Sequence, residues 1–172
     1  ISLLVAYIIQ IYISQQGGVD EVGLYNAGFV ILNTYVGIIF TAMATDYFPR
    51  LAGIAKDIIK IRKAVFEQAF IAILLITPII VVFIMFAQFI IVLLYSSDFT
   101  PIVTMVSWGI LGMVFKAVSF SMGYIIIAKG DSKLFIKTAV AFNSVLLIGN
   151  VIGYYYGGLE GLGISFFIYY II

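Results

Sequence analysis

An all-α membrane protein is the fold class this sequence predicts, and three observations predict it. Of 172 residues, 64% are hydrophobic and only 10% charged, with a mean hydropathy of +1.21; soluble domains carry roughly 45–50% apolar and about 25% charged residues. The apolar residues fall in long unbroken runs rather than alternating with period two, which excludes the strands of a membrane barrel. The cations gather in two of the five connections between those runs.

A spanning helix needs about 20 mostly apolar residues, because the hydrocarbon core is about 30 Å thick and each residue rises about 1.5 Å. Val22–Thr45, Ala69–Tyr95, Ile102–Ala128 and Phe135–Tyr156 meet that length. Ile1–Ser14 and Leu162–Ile172 are partial spans. The expectation is one six-helix bundle with truncated terminal helices, a fragment of a longer protein, since Ile1 opens inside an apolar run without a charged leader or cleavage site.

The connections then run from Gln15 to Glu21, Asp46 to Gln68, Ser96 to Pro101, Lys129 to Leu134 and Gly157 to Gly161. Arg50, Lys56, Lys60, Arg62 and Lys63 lie in the second, and Lys129 and Lys133 in the fourth with Lys137 just beyond. The other three hold only Asp20, Glu21, Asp98 and Glu160. Positive charge is retained on the cytoplasmic side, so loops 46–68 and 129–134 are expected there, with Ile1 starting on that side too. Tyr12, Tyr25, Tyr95, Trp108 and the run Tyr154, Tyr155, Tyr156 fall near the opposite, outer ends, as amphipathic rings at an interface do.

The second connection is patterned. Leu51, Ile54, Ala55, Ile58, Ile59, Val65 and Phe66 share one helical face, and Lys56, Asp57, Lys60, Lys63 and Glu67 the other. An interfacial amphipathic helix over 51–67 is expected, serving either as a topology determinant at the membrane surface or in capture of a substrate headgroup.

Cysteine and histidine are absent, which removes disulfides, thiol and imidazole catalysis and the usual zinc and haem ligands. The acids are scattered over different connections and no nucleophile is paired with a base, so an enzyme is not expected, and no cofactor or metal is called for. A net charge of +1 gives no footprint for nucleic acid.

Polar residues inside the spans are the candidates for function. Lys116 lies near the middle of its span, at a depth where a lysine costs at least about 2.5–3.5 kcal/mol unless it faces a polar cavity or an acidic partner. Its alternatives are an anionic substrate and a structural role between helices. Asn33 and Asn143 also lie close to mid-span, and Asn150 lies within its span; each carboxamide either meets sugar hydroxyls or joins two helices. Gly149, Gly153 and Gly157 form a small-residue ridge that invites close helix packing. Pro78 should kink its helix, as a hinge or a static bend, and Gly130, Asp131 and Ser132 make a polar turn.

Three stretches carry a resemblance. VGLYNAGFVILNTYVGIIFTAMATDYFPRLAGIAKD, from Val22 to Asp57, resembles the span-and-loop signature of bacterial O-antigen and polysaccharide flippases. WGILGMVFKAVSFSMGYIIIAKGDSKLF, from Trp108 to Phe135, is similar to a later helix pair of that family, and LEGLGISF, from Leu159 to Phe166, to the start of its next helix. The resemblance implies membership of the multidrug, oligosaccharidyl-lipid and polysaccharide exporter superfamily, in which two pseudo-symmetric helical bundles enclose a cavity. This chain would be the second bundle, spans seven to twelve. The implied substrate is undecaprenyl-pyrophosphate-linked oligosaccharide, moved from the cytoplasmic to the outer leaflet of the bacterial inner membrane by alternating access. Membrane proteins of polysaccharide assembly are implied as partners besides substrate and bilayer, and Lys116 becomes a candidate cavity cation. The competing readings are an exporter of drugs or organic cations from the same superfamily, a membrane-embedded enzyme of lipid-linked sugar metabolism and a non-transporting scaffold. Cation exporters usually place acids in their cavities, and this chain has none at mid-span.

Overall fold

The computed structural model describes residues 2–172; Ile1, where the first span is expected to begin, lies outside the described residues. The elements are α1 (Ser2–Val30), a π-helical turn (Ile31–Tyr35), α2 (Gly37–Gly53), α3 (Ile58–Leu94), a 3₁₀ turn (Ser97–Phe99), α4 (Ile102–Leu111), α5 (Met113–Ala128) and α6 (Ser132–Ile171). Ser2–Gly53, Ile58–Leu94 and Ser132–Ile171 are each long and apolar enough to cross a membrane, and α4 with α5, bent by 45°, makes a fourth such stretch if taken as one. This is a helical membrane protein.

Two of the long helices double back. Gln10 and Asn26 would stand about 24 Å apart in a straight helix, yet Gln10 Nε2 donates to Asn26 Oδ1 at 2.8 Å. The reversal sits at Gly18 (φ 84°, ψ −179°). In α6, Ser165 Oγ donates to Asn150 Oδ1 at 2.5 Å, and the reversal sits at Gly158 (φ 55°, ψ −136°). Only glycine enters these backbone regions without a Cβ clash. The polar connections expected over 15–21 and 157–161 are thus turns centred on one residue, with helix on either side.

Side-chain contacts sort the connections into two ends. Tyr154 Oη donates to Glu21 Oε2 at 2.5 Å, which joins the Gly18 and Gly158 reversals. Tyr95 Oη donates to the Ala27 carbonyl at 3.3 Å and brings the 96–101 connection to the same end. At the other end Tyr47 Oη donates to the Ser121 carbonyl at 2.7 Å, and Arg50 donates to Gln68 Oε1 at 3.1 Å. The acidic connections therefore gather at one end and the basic ones at the other, which is the separation the positive-inside pattern requires.

The single helix expected over 51–67 is corrected: α2 stops at Gly53 and α3 begins at Ile58. Asp57 is extended and its carboxylate accepts from the backbone amides of Ile59 and Lys60, so it caps a new helix. Hydrogen bonds from Lys60, through its backbone and then its side chain, hold the Asp57 carboxyl below the ordinary carboxylate range. The apolar face divides accordingly. Leu51, Ile61 and Ala64 pack with Tyr47, whereas Ile58, Ile59 and Phe66 stand exposed. From Ile58 onward the expected connection is simply the first turns of α3.

The main core runs along the molecule between α1, α3, α4, α5 and α6, and gathers Ile76, Ile80, Phe83 and Ile91 of α3, Ile102, Met105 and Ile110 of α4 and Met113 and Ala117 of α5 into one cluster. The opposite face of α3, including Phe70, Leu74, Met85, Phe89 and Leu93, is exposed, as a lipid-facing surface is. At Pro78, where a kink is expected, the dihedrals stay helical, and α3 is instead kinked at Phe86 (φ −120°, ψ 19°), eight residues on. A proline φ near −65° fits helical backbone, so the helix continues through Pro78, although the ring leaves the Leu74 carbonyl without its usual donor.

Candidate functional site

Lys116 and Asn33 meet. Lys116 Nζ donates to Asn33 Oδ1 at 3.2 Å across 83 residues of sequence. Asn33 sits in the π-helical turn, an irregularity that frequently marks functional positions. Its amide nitrogen donates to the Phe29 carbonyl at 3.3 Å, which leaves the side-chain oxygen directed at the lysine.

Lys116 is placed by the bend between α4 and α5. Its backbone amide bonds the Gly112 carbonyl at 3.0 Å, one turn back. Gly112 is needed there because a Cβ would come 2.9 Å from the Tyr170 ring and 3.2 Å from Phe167 Cα. That close approach sets the Tyr170 ring 5.1 Å from Lys116 Nζ, and the Phe40 ring lies at 5.7 Å. Each ring face attracts an ammonium by about 0.5–2 kcal/mol, so the rings and the amide together offset much of the desolvation.

No carboxylate takes part. Among the described residues the ion pairs are Lys60 with Asp57 at 3.2 Å and Lys63 with Glu67 at 3.9 Å, both exposed at the basic end. The half-buried Lys116 side chain therefore has no acid in contact among the described residues. The amide oxygen and the two ring faces stabilise the ammonium, and it is the lysine that can attract an anion, without first breaking a salt bridge.

The other candidate amides are used differently. Asn143 Nδ2 donates to the Ala139 carbonyl of its own helix at 2.7 Å, and no hydrogen bond joins it to Lys116 or Asn33. Asn150 is buried and holds Ser165 across the α6 hairpin, as interhelical glue. The structure thus brings together two of the three candidates, Lys116 and Asn33, and leaves Asn143 apart. Tyr170, Phe40 and the Gly112 bend escaped the sequence reading, because aromatic residues in apolar runs look the same whether they face lipid or a cation. Of the three tyrosines at 154–156, Tyr154 turns inward to Glu21 and packs edge-on against Tyr12, while Tyr155 and Tyr156 stay exposed.

No curated protein and no solved structure matches this chain. A family described as polysaccharide biosynthesis protein matches over residues 1–104, a segment that takes in Asn33 and the α1 hairpin and ends within α4, ahead of Lys116. A match over that share of 172 residues, on a chain whose helices are long and apolar enough to span a bilayer, identifies the protein as a member of the polysaccharide biosynthesis protein family.

Proposed function

We propose that this protein is a flippase, which carries undecaprenyl-pyrophosphate-linked oligosaccharide from the cytoplasmic to the outer leaflet of a bacterial inner membrane for O-antigen or related polysaccharide. The observation that carries the reading is the lysine at mid-span, held by an amide and two rings without an acidic partner. A fixed lysine–carboxylate pair would point to a structural role. A cation without one suits a substrate that supplies its own negative charge, as a pyrophosphate does. Lys116 and Asn33 would then contact substrate directly, and no bond in it would be made or broken.

In this reading the helices and the two hairpins make six crossings and form the second of two bundles around a cavity. The end that holds Gly18, Gly158 and the acidic connections faces outward. Single cysteines at Lys60 and Lys133 should resist a membrane-impermeant thiol reagent in intact cells, and those at Asp20, Asp98 and Glu160 should react. Labelling of Lys60 without Asp98 overturns the orientation.

Deletion of the gene tests the activity itself. Surface polysaccharide should disappear while lipid-linked oligosaccharide accumulates on the cytoplasmic leaflet, and the intact gene should restore export. Disappearance of the lipid-linked oligosaccharide along with the polymer would instead reveal an enzyme that makes it.

A further inference from the structure

Lys116 and Asn33 do not account for the polar side chains of the α1 hairpin. A groove of about 360 Å³ runs between its arms, lined by Gln10, Ile11, Ser14, Gln15, Val19 and Val22. We propose that this groove is a second substrate subsite, one that takes the uncharged sugar hydroxyls of the oligosaccharide. The proposal rests on the transport reading above and adds which part of the substrate is held where.

The chemistry of the lining argues for hydroxyls. A carboxamide offers two N–H donors and an oxygen with two lone pairs. The bond from Gln10 Nε2 to Asn26 Oδ1 uses one donor and one acceptor of the pair, and among the described residues neither side chain makes another. Gln10 Oε1 and Asn26 Nδ2 are left as an acceptor and a donor on the two bonded amides, of which Gln10 lines the groove, and Ser14 and Gln15 add a hydroxyl and a further amide along the same arm. A sugar hydroxyl both donates and accepts, so it matches such a pair. An anion would find no cation in the lining, and Glu21, beside Val22, is engaged by Tyr154.

Depth argues that the groove holds water and ligand rather than lipid. Gln10 and Asn26 each lie eight residues from Gly18, about 12 Å along the helix from the turn. At that depth an amide with unmade hydrogen bonds cannot face hydrocarbon without a large penalty. Interhelical glue would need the two amides only for each other and would not require Ser14 and Gln15 to extend the polar line to the mouth. Asn26 is also seven residues from Asn33 on the same helical path, about 10 Å. One molecule can therefore set its pyrophosphate at Lys116 and its sugars in the groove, toward the outer end.

Binding to purified full-length protein in lipid nanodiscs separates the two sites. The probes are undecaprenyl pyrophosphate without sugar and the lipid-linked oligosaccharide extracted from the producing strain. Ser14→Ala with Gln15→Ala leaves the bond between the arms in place, and Gln10→Leu with Asn26→Leu replaces both of its partners with apolar groups. Each pair should weaken the sugar-bearing lipid about tenfold, the effect of one or two lost hydrogen bonds, and leave the sugar-free lipid unchanged. Unchanged affinity for the sugar-bearing lipid in both variants overturns the subsite, as does an equal loss for the two probes. Lys116→Ala, by contrast, should weaken both probes alike. If wild-type protein binds neither probe, the transport reading fails and the subsite with it; if Lys116→Ala weakens both while the groove variants weaken neither, the subsite alone fails.

Discussion

Substitution of Lys116 by alanine is expected to lower surface polysaccharide by roughly ten- to a hundredfold, the effect of losing a charge-assisted hydrogen bond to substrate, with membrane insertion unchanged. Lys116→Arg should keep part of the export, because it preserves the charge but presents it as a planar fork between the Tyr170 and Phe40 rings. Asn33→Asp discriminates more sharply. It would set a carboxylate 3.2 Å from the ammonium and create the salt bridge the native chain lacks. A lysine whose task is to join helices should then do so better, with higher thermal stability and normal export. A lysine that must meet an anion should be neutralised, with stable protein and export lost. Wild-type export from a well-inserted Lys116→Ala protein would remove it from the substrate path altogether.

Gly161→Val should leave almost no folded protein, read as loss of the monodisperse peak in detergent. A Cβ at Gly161 overlaps the Gly153 carbonyl, and one at Gly153 overlaps the Gly161 carbonyl, so the two arms of the α6 hairpin touch backbone to backbone. Neither backbone can move away without breaking the Asn150–Ser165 bond beside it. Overpacking by a single methyl costs about 1–3 kcal/mol where the surroundings yield, and a hairpin pinned on both sides yields little. Gly153→Ala should be nearly as harmful. Gly157→Ala should behave as wild type, since nothing lies within 4 Å of a Cβ there, and Gly149 meets Ser165 only in ordinary contact at 3.9 Å. A folded, fully stable Gly161→Val protein would show that the arms can separate and that the hairpin geometry is dispensable.

That contrast shows what a spacing of glycines conveys. The ridge at 149, 153 and 157 was legible as a packing surface, but its three members are unequal, and the residue that meets it, Gly161, continues the same four-residue interval yet lies on the facing arm, beyond the Gly158 reversal. A four-residue interval identifies one helical face. It does not say where along that face a neighbour comes closest, because the crossing point belongs to the pair of helices and not to either one.

The membrane class, the helical character of the long apolar runs and the separation of basic from acidic connections were determined by the sequence itself. They depend on local quantities: apolar run length against bilayer thickness, and the position of each charge along the chain. Lys116 and Asn33 were likewise legible one at a time, since a polar group inside an apolar run stands out at any register. Only the tertiary structure decided that they meet, that Asn143 turns to its own helix, and that Phe40 and Tyr170 flank the ammonium. It also decided that α2 and α3 part at Asp57 and that whole connections shrink to single glycines. The physical reason is the same in each case. Burial in a bilayer rewards apolar residues wherever they point, so hydropathy sets which segments are embedded but carries almost no information about which faces meet. That is settled by close packing, by the few glycines that permit a reversal or a near contact, and by the need of each buried polar group for a partner.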